Sequence, residues 1–160
     1  MADSGPAGPA QPPAGFQPPG EAGAAQDAAR CGVDTVEIAR IERLLAETAP
    51  QDLGAFFSPQ ELADAGDGPG RAASLAGRFA AKEACTKLFP REAALGALGP
   101  ADFSVARDGY GAPTVVLSAA AQRALGHNRY ADIQLSLTHD RHAATAMALA
   151  RPAQAAPSWA

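Results

Sequence analysis

Apolar and polar positions alternate in two distinct periods along this chain. Residues 31–34 form a short apolar run that predicts a strand, leading into a helix at Thr35 in which Ile38, Ile41, Leu44 and Leu45 recur at helical spacing. Ser58-Pro59-Gln60-Glu61 is a capping box with proline at the first helical position, so a second, short helix starts there. After a Gly/Asp/Pro loop at residues 66–70, a central helix is predicted over about 72–89, ended by Pro90. Ala76, Ala80, Ala84 and Leu88 line one side of it, small enough for a sheet or helix to approach closely. Arg78, Lys82, Glu83 and Lys87 spread over the opposite side, around Leu75 and Phe79.

The later part of the chain changes period. A strand at residues 102–107, a turn at Asp108-Gly109-Tyr110-Gly111 and a return strand at 113–117 read as a hairpin, and Ser118 caps a short helix ending at Gly126. Ile133, Leu135 and Leu137 alternate with Gln134, Ser136 and Thr138, the pattern of a half-buried strand. Residues 138–142 then turn the chain into an Ala-rich strand over 143–150. Helices first and antiparallel strands later give an α+β class. No internal repeat is visible.

Composition limits what this fold can serve. Residues 1–30 are dominated by Ala, Gly and Pro and bury too little to offset their ordering entropy, so a disordered extension is expected there. One domain is expected over residues 31–150, and a loose tail over 151–160, where Trp159 could dock. A formal net charge of -4 argues against nucleic acid and anionic membrane as partners. No stretch approaches the length of an apolar membrane span, and the N-terminus lacks the basic-then-apolar pattern of a secretory leader. Cys31 and Cys85 show no metal-ligand spacing and read as reduced, partly buried residues of a cytoplasmic protein.

The candidate chemistry sits on the central helix. Arg78 and Lys82 are a like-charge pair at i,i+4, unfavourable in isolation, whereas Glu83 and Lys87 stand in the favourable order. Asp34 reads either as a helix N-cap with Glu37 behind it or as a functional carboxylate. Two carboxylates from separate elements, Asp34 and Glu83, can hold one Mg²⁺ that keeps waters and takes its other ligands from a phosphate-bearing substrate. Arg78, Lys82 and Lys87 would then offset phosphate charge. His139 and His142 flank a turn without the further ligands of a zinc site. His142 reads as an exposed turn residue, and His139 stays open between that and a phosphate donor. The Asp108–Gly111 glycines precede a strand and not a helix, so they make a turn, not a phosphate loop.

These residues also stand in a known order. Gly32-Val33-Asp34-Thr35-Val36-Glu37, Phe57-Ser58-x-x-Glu61-Leu62, and Leu75-Ala76-Gly77-Arg78-Phe79-Ala80-Ala81-Lys82-Glu83-Ala84-x-x-Lys87 closely resemble the holo-acyl-carrier-protein synthase type of 4'-phosphopantetheinyl transferase. Asp108-x-x-Gly111-x-Pro113 and Ser136-Leu137-Thr138-His139 do so too, and together the blocks span roughly residues 31–150.

The resemblance implies a small α+β domain that trimerises, with coenzyme A bound in clefts between subunits. It implies transfer of the 4'-phosphopantetheine arm of coenzyme A to a serine of an apo acyl carrier protein, with adenosine 3',5'-bisphosphate released. It makes Asp34 and Glu83 the Mg²⁺ ligands, with Glu83 and Lys87 in the catalytic centre. Lys87 would contact the diphosphate, Arg78 the nucleotide end, and His139 a phosphate or its neighbourhood; Lys82 belongs to the same motif. Arg40, then Arg43, would face the acidic carrier protein. Either Glu83 through a water or a water on the metal could accept the serine proton. The chain departs from the family in lacking an arginine in Ala55-Phe56-Phe57-Ser58 and in its N-terminal extension. Both departures fit a carrier protein of a specialised pathway such as polyketide synthesis. The competing expectations are a non-catalytic carrier-binding module of the same fold and a nucleotide-diphosphate binder with another reaction.

Overall fold

The computed structural model describes residues 28–91 and 98–153. The extension expected over residues 1–30 lies outside these apart from residues 28–30, and so do residues 154–160 with Trp159. The chain runs β1 (Arg30–Glu37), α1 (Ile38–Glu47), a 3-10 segment (Pro50–Ala55), α2 (Pro59–Ala65), α3 (Arg71–Thr86) and a 3-10 turn (Pro100–Asp102). It continues through β2 (Phe103–Arg107), β3 (Pro113–Leu117), α4 (Ala119–His127), β4 (Tyr130–His139) and β5 (Ala143–Pro152). This is the α+β arrangement expected. A three-stranded antiparallel sheet in the order β1-β5-β4 carries α3 on one face, and β2-β3 forms a separate hairpin.

The first helix begins at Ile38, later than its apolar spacing predicted. Val33, Thr35 and Val36 are β-branched and pair with β5, so the strand continues through the segment expected to be helical. Asp34 is therefore a mid-strand residue opposite Ala146, and the N-cap reading fails. Glu37 is the residue at the N-cap, without a side-chain cap bond. Likewise Arg151 and Pro152, expected in a tail, belong to β5. The second helix begins as expected: the Ser58 hydroxyl accepts from the Glu61 N–H, and a Glu61 carboxylate oxygen accepts from the Ser58 N–H.

Helix α3 is the centre of the core. Ala76, Ala80 and Ala84 meet the alternate alanines of β5, Ala144, Ala146, Ala148 and Ala150, all fully buried. Side chains this small let helix and sheet approach closely. The tightest point is Gly32 in β1. A Cβ there would stand 2.1 Å from the Ala84 carbonyl oxygen and 3.2 Å from Lys87 Cβ. The side of α3 that carries Arg78 and Lys82 does not face solvent, because α1, α2 and β2 pack over it. Arg78 and Lys82 are consequently buried, at 5% and 1% exposure.

Candidate active site

Asp34 and Lys87 meet where β1 crosses the end of α3, one turn beyond Glu83. Lys87 Nζ donates to Asp34 Oδ1 at 2.8 Å and to the Val33 carbonyl at 2.7 Å. The helical Glu83–Lys87 pair that their spacing favours does not form, because the close approach at Gly32 offers Lys87 a better partner across the gap. Glu83 is left half-buried and, among the described residues, without an ion pair or side-chain hydrogen bond. The Lys87 side chain is 51% exposed and that of Asp34 20%. The Asp34–Lys87 pair thus lies at the surface of the molecule.

Among the described residues, no three His, Cys, Asp or Glu side chains gather closely enough to hold a metal ion unaided. Two carboxylates are what an open Mg²⁺ site requires, since that ion keeps several waters and binds substrate phosphates. The donor set of Asp34 and Glu83 fits such an ion, and it does not fit a closed protein cage.

The second part of the site is a groove of about 320 Å³ between the first half of α3, the β2-β3 hairpin and the end of β4. Ser74, Gly77, Arg78, Arg107, Leu137 and His139 are on its walls. Gly77 lines it on the helix side, where a Cβ would make ordinary contact with Leu137 Cδ2 at 3.5 Å. Arg78 is held by the Ser74 hydroxyl at 2.5 Å, the Ser74 carbonyl at 3.2 Å and Asp64 at 3.6 Å. Its buried Nε–H has no partner among the described residues. His139 and His142 are both exposed, but only His139 reaches the groove. Asp140 orders their turn by accepting the His142 and Ala143 N–H groups at 2.7 and 2.9 Å, bonds that hold its carboxyl below the ordinary range, the Ala143 bond foremost.

The groove and Asp34 share one face of the sheet. Asp34, Ala146 and Leu137 stand abreast on β1, β5 and β4. Two strand spacings, about 10 Å, thus separate Asp34 from the groove wall at Leu137. A ligand with a diphosphate and a nucleotide end can bridge that span.

Lys82 takes no part in either surface. Its ammonium lies 2.8 Å from Glu61 Oε2, with both side chains 1% exposed, and donates to the Pro100 carbonyl at 3.2 Å. Burial pushes the Lys82 ammonium below its usual range, and the Glu61 carboxylate opposes that shift. A coenzyme contact by Lys82 is at odds with this burial: its charge is spent inside the protein. Arg40 and Arg43 are exposed on α1, with the Arg40 guanidinium 5.2 Å from the centre of the Phe79 ring. The cysteines are free, Cys85 buried and Cys31 exposed, the latter correcting its expected partial burial. Burial pushes the Cys85 thiol up to about 12.

Arg107, Asp64 and the pairing of Glu61 with Lys82 were not foreseen. The Ser58–Glu61 box singled out Glu61, but only as a cap. No periodicity links it to a lysine on another helix.

Comparison with known proteins agrees with this geometry. Residues 30–147 match the model of the 4'-phosphopantetheinyl transferase superfamily. A holo-[acyl-carrier-protein] synthase of Chlorobaculum parvum is 38% identical over 126 residues, covering 76% of this chain and 97% of that protein. The crystal structure of the Neisseria meningitidis holo-[acyl-carrier-protein] synthase superposes with a TM-score of 0.64 at 26% identity, covering 76% of this chain and 96% of the other. The Helicobacter pylori enzyme in complex with coenzyme A does so with a TM-score of 0.62 at 28% identity, over 76% and 99% of the two chains. On these grounds the chain belongs to the 4'-phosphopantetheinyl transferase superfamily, as an enzyme of the holo-[acyl-carrier-protein] synthase type.

Proposed function

We propose that this enzyme transfers 4'-phosphopantetheine from coenzyme A to a serine of an apo acyl carrier protein and releases adenosine 3',5'-bisphosphate. The observation that supports this reading is the Asp34–Lys87 pair on the same sheet face as the groove lined by Arg78 and His139, with Glu83 one helical turn before Lys87. Asp34 and Glu83 would hold Mg²⁺, which when bound supplies charge neutralisation at the diphosphate.

The remaining steps belong to the protein's own side chains. Lys87 swings from Asp34 to a diphosphate oxygen, a small displacement for an exposed ammonium. The Arg78 guanidinium and the ring of His139, both on the groove lining, bind and orient the nucleotide end there. The serine oxygen forms a bond to the phosphorus bearing the pantetheine arm, and the phosphoanhydride bond to the adenosine bisphosphate breaks. The Glu83 carboxylate takes the serine proton through a water.

The carrier protein docks on α1, where Arg40 and Arg43 present positive charge to an acidic partner. The working form is a cytoplasmic homotrimer. The sheet face turned away from α3 supports this, since it leaves Val33 and Met147 exposed at 55% and 44%. Among the described residues no helix is long and apolar enough to cross a membrane. The carrier is one of a specialised, polyketide-type pathway.

The test is intact-mass analysis of apo carrier proteins incubated with the enzyme, coenzyme A and Mg²⁺. One phosphopantetheine added to a carrier is the expected result, and no addition to any of several carriers overturns the activity. Equal rates on fatty-acid and specialised carriers overturn the specialisation alone.

A further inference from the structure

Helix α3 carries a buried charge that the transfer reaction does not use. Glu61 and Lys82 are 0% and 1% exposed, and apart from the α2 capping bond to Ser58 their polar contacts join different elements. Glu61 Oε2 accepts from the Ser58 N–H at 2.7 Å and from Lys82 Nζ at 2.8 Å, tying the start of α2 to the middle of α3. Glu61 Oε1 accepts from the Val105 N–H at 2.9 Å, and Lys82 donates to the Pro100 carbonyl at 3.2 Å just before β2. The Phe57 ring lies 5.9 Å from the ammonium.

Val105 explains why this matters. The β2-β3 hairpin shares no strand pairing with the main sheet, and an isolated two-stranded hairpin is marginal in water. Val105 N–H points to Glu61, so a directional bond joins the hairpin to α2 and, through the Glu61–Lys82 pair, to α3. Those two elements are opposite walls of the groove: Ser74, Gly77 and Arg78 on the helix, Val105, Ala106 and Arg107 on the hairpin. Burial of Phe103 and Val105 holds the walls together through contacts that carry no direction of their own. Swapping such a pair for apolar groups is often neutral or stabilising, so net stability alone does not account for it, whereas orientation does.

We propose that Glu61 and Lys82 are positioning residues that fix the β2-β3 hairpin against α3 and so set the width of the coenzyme groove. The assignment rests on the coenzyme reading of that groove. The Asp34–Lys87 cluster lies outside the pair's contacts, so loosening the hairpin weakens coenzyme binding and spares the chemical step.

The experiment compares the full-length wild type, Lys82→Met and Lys82→Arg by amide hydrogen exchange and by coenzyme A titration. In Lys82→Met, exchange should rise selectively at Val105 and the rest of β2-β3 while β1, β4 and β5 keep their protection. A uniform rise over all strands, or no rise at Val105, overturns the proposal. KM for coenzyme A should increase about tenfold with kcat at saturation within about threefold, and Lys82→Arg should recover most of the loss. A fall in kcat at unchanged KM means a merely structural role and overturns it too. Should Lys82→Met not fold, the wild type decides the matter. Saturating coenzyme A must slow Val105 exchange, since coupling is reciprocal, and an unchanged rate sinks the idea. A wild type that takes up no coenzyme A refutes the proposed function instead, and the selective exchange at Val105 in the variants still decides the positioning role.

Discussion

Lys82 and Lys87 each hold a carboxylate at 2.8 Å, and the two pairs have opposite meanings. The Lys82–Glu61 pair is 1% exposed on both sides and anchored by two backbone N–H groups and a carbonyl. The Lys87–Asp34 pair has a lysine 51% exposed and a carboxylate reached from solvent. Geometry alone does not separate them; environment does. A buried ion that loses its partner keeps its desolvation penalty, whereas an exposed one finds water instead. The first pair is therefore part of the frame. The second can be opened and its members handed to other charged groups, which is what phosphoryl transfer asks of them.

Deleting each lysine should show the largest contrast. Lys82→Met leaves Glu61 buried without its counter-charge and is expected to cost about 3–5 kcal/mol in urea unfolding. Lys87→Met, on an exposed pair, should cost under about 1 kcal/mol. Similar losses for the two would erase the distinction. Gly32→Ala tests how the exposed pair is assembled. The new Cβ meets the Ala84 backbone oxygen at 2.1 Å, so β1 must move away from α3. A loss of about 1–3 kcal/mol is expected. Transfer should fall roughly a hundredfold as Asp34 leaves its place opposite Lys87. Wild-type turnover with a shifted melting midpoint would show that the close approach does not place Asp34.

Asp34→Asn isolates charge from shape. It should lower transfer roughly a hundredfold with an unchanged unfolding midpoint. Near-normal transfer would remove Asp34 from the centre. The smallest effect is expected at the turn beside His139. The carboxyl of Asp140 titrates below the unfolded value because it accepts the Ala143 and His142 N–H groups. Its contribution to the turn is present above the unfolded value, near pH 4, and fades as pH falls through the lower folded one. A carbon-detected NMR titration should place its midpoint below that of an unfolded control; a coincident midpoint would mean that the turn is not held this way.

Much of this contrast was illegible in the chain. The element order, the Ser58 and Ser118 caps and the β2-β3 hairpin follow from local spacing, because capping and alternation are local effects. The start of α1 was misplaced because Val33, Thr35 and Val36 answer to a strand over a hundred residues away, at Met147, Thr145 and Ala144. The charges on α3 were misread for the same reason. A helical wheel sorts Arg78 and Lys82 onto a polar side but says nothing of what covers that side. Here α2 and the hairpin cover it. The resemblance of the Arg78–Lys87 block to a transferase family named the chemistry without separating the lysine that frames the site from the one that faces it.

The central claim is that the surface cluster of Asp34, Glu83 and Lys87 performs transfer while the buried pair only frames it. Glu83→Gln tests it most directly, since Glu83 makes no ion pair or side-chain hydrogen bond among the described residues and its loss should leave the fold alone. The measurement is the mass of an apo carrier protein after incubation with this variant, coenzyme A and Mg²⁺, beside a melting curve of the same sample. The expected result is a wild-type melt with almost no carrier gaining phosphopantetheine. A wild-type melt with carrier modified at the wild-type rate would contradict it.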